Sequence, residues 1–309
     1  MIRTFDELHQ AVKKGTMAVV AIVGGDNVDS VEFAWLAEKD GLARCVFVGD
    51  ETAIGAVFAK HGKPETATVV QAADDDSAAV AVRLCMEGKA HFILKGKVKT
   101  NQILSAVLKA GREEIKGRGA YLSHITVFEN PRMNKLLILT DGGMSVLPNL
   151  QQKIWIMQNA IKVAHSIGVE KPKVILAAAM EDTGQEFPAI ADAREIVKRH
   201  KAGEWPDAII DGPFGVDVGL EPNAAKEKKI DTAIAGDVDI IVVPNIEAGN
   251  IALKMVLYYQ EAMMLGLVVG GIAPMLVVSR AHPPRWGYLS SSPSRQSARG
   301  PRPRRTGRR

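Results

Sequence analysis

This sequence of 309 residues has only two cysteines, few aromatic residues and no long uninterrupted hydrophobic run. Cys45 and Cys85 lie in apolar contexts without metal-ligand spacing, so we interpret them as buried thiols of a cytoplasmic protein. Met1–Thr16 is polar and mixed in charge, unlike a signal peptide. The longest apolar run, Ala262–Val278, contains three glycines and one proline and is too short to span a bilayer. We interpret it as a helix end, a turn and a core strand, and we expect no membrane association.

The net charge of +4 comes from the end of the chain. Ala281–Arg309 contains eight arginines and no lysine, aspartate or glutamate. Removing these eight from the 39 basic residues leaves 31 against 35 acidic residues, so Met1–Arg280 carries about −4. The body of the protein is therefore mildly acidic, and we do not expect it to bind nucleic acid.

Short apolar segments alternate with amphipathic ones along the chain, and glycine-bearing turns join them. Met17–Val23 and Lys135–Thr140 have the composition of buried strands, and Asn149–Ile167 has the period of a long helix. The alternation predicts an α/β fold in which parallel or mixed sheets carry helices on both faces.

One predicted strand, turn and helix unit lies between Asp239 and Tyr259. The strand is expected to end at Val243, the turn to span Pro244–Asn250, and the helix to start near Ile251. A turn rich in Asn and Gly between a strand and a helix presents backbone N–H groups to anions such as phosphate. The alternative is that these residues only form a tight turn.

A second turn of this kind follows the strand that ends near Leu94. Lys95 and Lys97 flank Gly96, and Thr100 is placed to cap the following helix. Two lysines at a helix amino end attract phosphate or another polyanion. The turn lacks the GxxxxGK[ST] pattern of a nucleotide-binding P-loop, so ATP is not implied. The alternative is a solvated lysine turn.

Further polar turns adjoin predicted strands. Asp141, in TDGGM, is either a polar ligand for the substrate or a structural carboxylate. Ser123 and His124 precede a strand, where adjacent side chains point to opposite faces, so they form no catalytic triad. Ser279 and Arg280 close the last predicted strand, and the guanidinium of Arg280 can bind phosphate through two hydrogen bonds.

Neither a cofactor nor a metal site is predicted. Gly24-Gly25-Asp26 follows the first strand but lacks the third glycine of GxGxxG, so we discount NAD binding. Asp74-Asp75-Asp76 precedes an alanine-rich helix and is interpreted as a helix cap.

Six segments resemble the phosphate acetyl/butyryltransferase family in the expected order, and the butyryl branch is the most similar. They are LKGKVKTNQIL, YLSHITVFENP, LTDGGMSVLPNLQQK, DGPFGVD, VPNIEAGNIALKM and the closing VVSR. The resemblance covers Val19 to Arg280. It implies reversible conversion of butanoyl-CoA and phosphate into butanoyl phosphate and CoA, by direct attack of the CoA thiolate on the acyl phosphate. Acyl-CoA and phosphate would be substrates, with no bound cofactor.

The same resemblance implies two α/β domains similar to the isocitrate/isopropylmalate dehydrogenases, with the active site in the cleft between them. Residues 1–130 with 268–280 would form the first domain and residues 131–267 the second. The chain would assemble at least as a homodimer. The alternatives are acetyl or branched acyl specificity, a CoA-binding protein without activity, and a dehydrogenase of the same architecture.

The resemblance also assigns roles to single residues. Arg280 would bind phosphate, and Ser279 would hydrogen-bond the reacting thiol or carbonyl. His124 and Asp141 are the candidates for the thiol base. Substrate binding is assigned to Lys95, Gly96, Lys97, Thr100, Ser123, Asn245, Gly249 and Asn250.

The sequence departs from the family after Arg280. Relatives continue with an acidic residue and an apolar helix, and the acetyl branch has a thiol-activating Asp where this chain has Trp286. Residues 281–309 instead form a tail rich in Arg, Pro and Ser without helical period, which we interpret as the product of a frameshift. The rival interpretation is a disordered basic tail that binds nucleic acid or an anionic membrane.

Overall fold

The computed structural model describes residues 1–114, 121–181, 187–260 and 262–276. Within these ranges helices and strands alternate, as the sequence predicts. The strands are β1 Ala18–Val23, β2 Ala43–Gly49, β3 Thr68–Gln71, β4 Phe92–Lys95, β5 Ser123–Asn130, β6 Lys135–Thr140, β7 Lys173–Ala177, β8 Ile209–Phe214, β9 Ile240–Val242, β10 Met264–Val269 and β11 Met275–Leu276. The helices are α1 Phe5–Lys13, α2 Val28–Lys39, α3 Glu51–His61, α4 Ser77–Met86, α5 Thr100–Glu114, α6 Leu150–Ser166, α7 Pro188–Lys201, α8 Val216–Leu220, α9 Pro222–Glu227 and α10 Ile246–Tyr259.

The described strands form one mixed sheet in the order β3-β2-β1-β4-β11-β10-β5-β6-β9-β7-β8. β1 to β4 and β11 are parallel. β10 is antiparallel to both β11 and β5, and β5 is antiparallel to β6. β9, β7 and β8 then follow in parallel with β6. The two ends of the sheet therefore run in opposite directions, and the prediction of an α/β fold with a mixed sheet is confirmed.

Helices cover the sheet on both faces. Around β6, α6 and α7 pack on one face and α10 packs on the other. Leu136 and Ile138 face the first layer, Leu137 and Leu139 face the second, and none of the four is more than 4% exposed. A strand buried on both faces needs consecutive apolar residues, which explains the run LLIL in β6.

The prediction of a helix end at the start of Ala262–Val278 is wrong. The stretch contains no helix end among its described residues; it contains β10, which lies between β5 and β11. A short apolar run does not distinguish a helix from a strand, since both can be buried. The backbone of β10 is paired with β5 from Met264 to Val269, and this long-range pairing decides the structure.

The predicted division into two domains stays a prediction. One predicted boundary falls at Asn130, where β5 ends, and the other falls inside β10. The sheet is continuous through both strands. Residues 277–309, which include the last part of the predicted first domain and the arginine-rich tail, lie outside the described residues.

In the part of the chain that the structure describes, no helix has both the length and the apolar composition needed to cross a membrane.

Candidate active site

The structure divides the predicted site residues into two groups. One group follows the carboxyl end of β4, and it comprises Lys95, Gly96, Lys97 and Thr100. The other lies where β5 begins and where β6 and β9 end, and it comprises Ser123, His124, Asp141, Asn245, Gly249 and Asn250. β4 and β6 run in opposite directions, and three strands lie between them. Their carboxyl ends are nonetheless at the same level of the sheet, because the register pairs Thr140 of β6 with Leu94 of β4 through β5, β10 and β11. Ser279 and Arg280 lie outside the described residues.

Asp141 organises the loop that follows β6. Its side chain is buried, and its carboxylate accepts hydrogen bonds from the N–H groups of Gly143 and Met144, both at 2.9 Å. The Ser145 N–H donates at 3.3 Å and the Ser145 hydroxyl at 2.8 Å. A buried carboxylate needs such partners to remain charged. The four bonds therefore favour a structural role for Asp141 over that of a thiol base.

Tyr121 and Asn159, which are not among the predicted site residues, extend this network. The Ser145 hydroxyl gives its hydrogen to Asp141, so the Tyr121 hydroxyl donates to the Ser145 oxygen at 3.0 Å. The Asn159 amide donates to the Tyr121 carbonyl oxygen at 2.9 Å and to the Ser123 hydroxyl at 3.0 Å. Ser123 is fully buried, so its hydroxyl faces this network and not the solvent. Asn159 could have been predicted from the sequence, because it is a polar residue on the apolar face of the helix α6.

His124 points to the face of the sheet opposite to Ser123, as expected for neighbours on a strand. Its Nδ1 is buried and has no hydrogen-bond partner among the described residues. Burial lowers the pKa of the imidazole, and the Asp141 charge raises it in part, with a net lowering. The imidazole is therefore neutral at neutral pH and can accept a proton. A Cβ on Gly143 would lie 2.7 Å from the His124 Cγ, so glycine is needed beside the ring.

The predicted turn before α10 is mostly the first turn of the helix itself. Asn245 accepts a hydrogen bond from the Ala248 N–H at 2.9 Å and caps the helix, which begins at Ile246. The prediction that the helix starts near Ile251 is therefore wrong. An Asn cap satisfies one of the backbone donors that an anion would otherwise bind.

α10 is in close contact with the loop after β6. Gly249 is buried, and a Cβ there would lie 2.6 Å from the Cα of Gly142. The Asn250 amide donates to the Gly142 carbonyl oxygen at 3.2 Å. A glycine inside a helix is unfavourable by itself, and this approach of two backbones explains its presence.

The turn after β4 rests on the turn after β1. The Gly24 carbonyl oxygen accepts the Lys97 N–H at 2.6 Å, and the Lys97 ammonium pairs with Asp26 at 3.0 Å. This hydrogen bond to Asp26 raises the pKa of Lys97, whose side chain is 70% exposed. The Lys95 ammonium donates to the Gly96 carbonyl oxygen at 3.2 Å. This group is therefore more exposed than the one around Asp141.

Thr100 does not cap α5 as predicted. It is the first residue of the helix and is exposed. The Gln102 side chain accepts a hydrogen bond from the Lys99 N–H at 3.2 Å at this helix end. A cap at Thr100 would require α5 to begin at Asn101, one residue later than it does.

A groove of about 730 Å³ opens beside His124. Its lining includes His124, Gly142, Gly143 and Asn250 together with the apolar side chains of Leu253, Leu257 and Met264, and it also contains polar side chains of other elements, among them His9, Asp40 and Lys254. An apolar wall beside a few polar groups is typical of a pocket for a small organic ligand. The groove therefore brings polar and apolar side chains together beside His124.

The described residues contain no group of three His, Cys, Asp or Glu side chains that could hold a metal ion. Burial raises the pKa of the Cys45 thiol to about 12 and that of Cys85 to about 11. Both thiols are therefore protonated at neutral pH and are poor nucleophiles.

A sequence profile of the family described as Phosphate acetyl/butaryl transferase matches residues 56–284. The chain belongs to this family. It is 35% identical over 283 residues to the phosphate butyryltransferase of Clostridium acetobutylicum, covering 91% of this chain and 93% of that protein. It is 30% identical over 278 residues to the phosphate acetyltransferase of Thermotoga maritima, covering 89% and 92%. The predicted resemblance is confirmed, and the chain is a phosphate acyltransferase of the phosphotransacylase family.

Solved structures confirm the predicted architecture. The branched-chain phosphotransacylase from Enterococcus faecalis V583 has a TM-score of 0.75 and 26% identity, covering 89% of this chain and 97% of that one. The 4-hydroxythreonine-4-phosphate dehydrogenase from Klebsiella pneumoniae has a TM-score of 0.57 and 12% identity, covering 89% and 97%, a likeness of fold alone. The fold is therefore that of the phosphotransacylases and of the isocitrate/isopropylmalate dehydrogenase-like enzymes.

Proposed function

We propose that this phosphotransacylase converts butanoyl-CoA and phosphate reversibly into butanoyl phosphate and CoA. The observation that carries the proposal is the groove, whose lining includes His124 and Asn250 together with the apolar side chains of Leu253 and Leu257. Butanoyl has two more methylene groups than acetyl, and burying each contributes about 0.8 kcal/mol. The 35% identity to a phosphate butyryltransferase supports the same acyl group.

The proposed mechanism is direct acyl transfer. The thiolate of CoA attacks the carbonyl carbon of butanoyl phosphate, so the C–S bond forms, the C–O bond to phosphate breaks, and phosphate leaves. His124 accepts the thiol proton, since burial keeps its imidazole neutral. Arg280 binds the phosphate, and Ser279 hydrogen-bonds the thiol or the carbonyl oxygen. Both reacting groups belong to substrates, so the reaction needs no bound cofactor or metal.

The remaining predicted residues support binding in different ways. Lys95 and Lys97 place positive charge beside Gly96 and Thr100 at the amino end of α5, where phosphate groups of CoA or free phosphate would bind. Asn245 and Gly249 fix α10 against the loop after β6, and Asn250 adds an amide to the lining of the groove. We place the enzyme in the cytoplasm, in keeping with its two reduced cysteines.

An assay of thiol release tests the reaction and its acyl specificity. Free CoA is measured with acetyl-, butanoyl- and branched acyl-CoA, with and without phosphate. We expect phosphate-dependent release with the highest kcat/KM for butanoyl-CoA. A maximum with acetyl- or branched acyl-CoA would overturn the butanoyl assignment. CoA binding without release from any substrate would overturn the activity.

The role of Arg280 has its own test. Arg280→Ala is expected to abolish phosphate-dependent release while circular dichroism and the Tm stay unchanged. Arg285→Ala, which removes an arginine from the tail, is the matched control and should keep the original rate. Near-normal turnover by Arg280→Ala would reject this residue as the phosphate ligand.

A further inference from the structure

The imidazole of His124 lies between two parts of the chain. One is the start of β5, which carries His124 itself, and the other is the loop after β6, where a Cβ on Gly143 would lie 2.7 Å from the His124 Cγ. The ladder between β5 and β6 ends with the pair Ile125 and Thr140. Past this pair, the Thr140 hydroxyl donates to the His124 carbonyl oxygen at 3.0 Å. Side chains therefore continue the connection between loop and strand where the ladder stops.

Tyr121 makes the longest of these connections. Its hydroxyl donates to the Ser145 oxygen in the loop at 3.0 Å. Its backbone carbonyl oxygen, three residues before His124, accepts the Asn159 amide at 2.9 Å. Its ring packs against that of Trp155, with the centroids 5.4 Å apart. Tyr121 is therefore held by its backbone and its ring, and its hydroxyl joins the loop to the start of β5.

Asn159 holds the same segment from the face of the sheet opposite to His124. Its amide also donates to the Ser123 hydroxyl at 3.0 Å, one residue before His124. Asn159 is 8% exposed, and Ser123 is fully buried. A Cβ on Gly270 would lie 2.5 Å from the Asn159 amide nitrogen, so glycine there leaves room for the amide. Because a buried amide without partners is costly, Asn159 favours one position of the backbone before His124.

We propose that Tyr121 and Asn159 are positioning residues that hold the His124 imidazole in place to accept the thiol proton. The inference rests on the proposed function, in which His124 is the thiol base. Among the described residues, those that line the groove include His124 but neither Tyr121 nor Asn159. The two therefore act through His124 and do not contact the substrate. A misplacement of a reacting group by about 1 Å can lower a rate roughly hundredfold.

The alternative is that these hydrogen bonds only stabilise the fold, and Tyr121→Phe separates the two roles. In this variant Ser145 keeps its bond to Asp141 at 2.8 Å, and the Tyr121 carbonyl oxygen keeps the Asn159 amide. Among these groups no buried donor loses its acceptor, so the Tm should stay unchanged. The variant removes only the hydrogen bond that joins the loop to the start of β5.

The rate of phosphate-dependent CoA release is the first measurement. We expect Tyr121→Phe to lower kcat about tenfold with unchanged KM values, because a displaced base weakens the transition state and not the binding of substrate. Tyr259→Phe, which removes the hydroxyl of a tyrosine that is 79% exposed, is the matched control and should keep the original kcat.

NMR titration of the His124 ring gives a readout that does not depend on activity, with the signal assigned by its loss in His124→Gln. Burial keeps the pKa of His124 below the ordinary 6.5, so a ring that moves toward solvent should titrate closer to that value in Tyr121→Phe. Asp141 faces the ring and Lys254 lines the same groove, and the variant keeps both charges. A purely structural role would leave the pKa of His124 unchanged.

Asn159→Asp gives a second disruption. The side chain keeps its size, but an oxygen replaces the nitrogen that donates to Tyr121 and Ser123, so kcat should fall further, roughly hundredfold. Asn149→Asp, at the exposed cap of the same helix, is the control and should keep the original kcat, because Asp caps a helix as well as Asn does.

The two readouts separate this inference from the proposed function. A near-normal kcat or an unchanged pKa of His124 in Tyr121→Phe would overturn the inference. A parent protein that releases no CoA, with a pKa of His124 that still shifts in Tyr121→Phe, would contradict the proposed function and leave the positioning of His124 supported.

Discussion

The loop after β6 and the turn after β4 each follow the carboxyl end of a strand, but they are held differently. In the loop, the buried Asp141 accepts four hydrogen bonds from three residues. In the turn, Lys97 is 70% exposed and makes a surface ion pair with Asp26. Unpaired buried donors are costly, whereas an exposed ion pair contributes little to stability. The loop after β6 is therefore held by buried hydrogen bonds beside His124, whereas the turn after β4 is exposed, as the proposed anion site requires.

The largest expected effect is that of Asp141→Ala. It leaves the buried N–H and hydroxyl groups of Ser145 and the partly buried N–H groups of Gly143 and Met144 without their acceptor, so the free energy of unfolding should fall by about 2–4 kcal/mol. The matched change in the other turn, Asp26→Ala, should cost less than about 1 kcal/mol. Urea unfolding measures both. Equal losses would contradict the contrast between the buried loop and the exposed turn.

Gly143→Ala should have the next largest effect. The added Cβ would lie 2.7 Å from the His124 Cγ, so the ring or the loop must move, at a cost of about 1–3 kcal/mol. CoA release should slow because the imidazole is displaced. In Gly55→Ala, the control in α3, nothing lies within 4 Å of the added Cβ. That change should stabilise the protein by about 0.5–1 kcal/mol and leave the rate unchanged.

His124 predicts a pH dependence of stability. Burial lowers its pKa below the ordinary 6.5, so on acidification the unfolded chain takes up this proton before the folded chain does. Stability from this group is therefore complete above about pH 6.5 and is lost as the pH falls toward the lowered value. His124→Gln should make the Tm less sensitive to a change from about pH 7.5 to about pH 5.5. An equal fall in Tm for both proteins would show that His124 does not contribute.

The smallest expected change in stability is that of Lys97→Ala, within about 1 kcal/mol. Its effect should appear in binding, with a rise of about tenfold in the KM for phosphate that weakens at high salt. Lys89→Ala is the control, because Lys89 is also exposed, at 67%, and pairs with Glu87. It should leave the KM unchanged. An unchanged KM in Lys97→Ala would remove the turn after β4 from the phosphate site.

Local patterns predicted β1, β6 and α6 to within one residue at each end. The helix predicted over Asn149–Ile167 is α6, Leu150–Ser166, and its start is marked by reciprocal hydrogen bonds between Asn149 and Gln152. Such caps involve residues three apart, so the sequence displays them directly. β10 was missed because its strand structure depends on pairing with β5, more than 130 residues away. A local sequence pattern does not specify a pairing partner so far away in the chain.

By itself, the sequence determined the family, the alternation of strands and helices, and the residues that could bind anions or transfer protons. Only the tertiary structure decided which of them meet. His124 lies beside Gly143 because β5 and β6 are antiparallel neighbours, and Gly142 lies against Gly249 because β9 is next to β6. Strand direction and order are set by burial and hydrogen bonding between segments far apart in the chain, which local residue patterns do not specify.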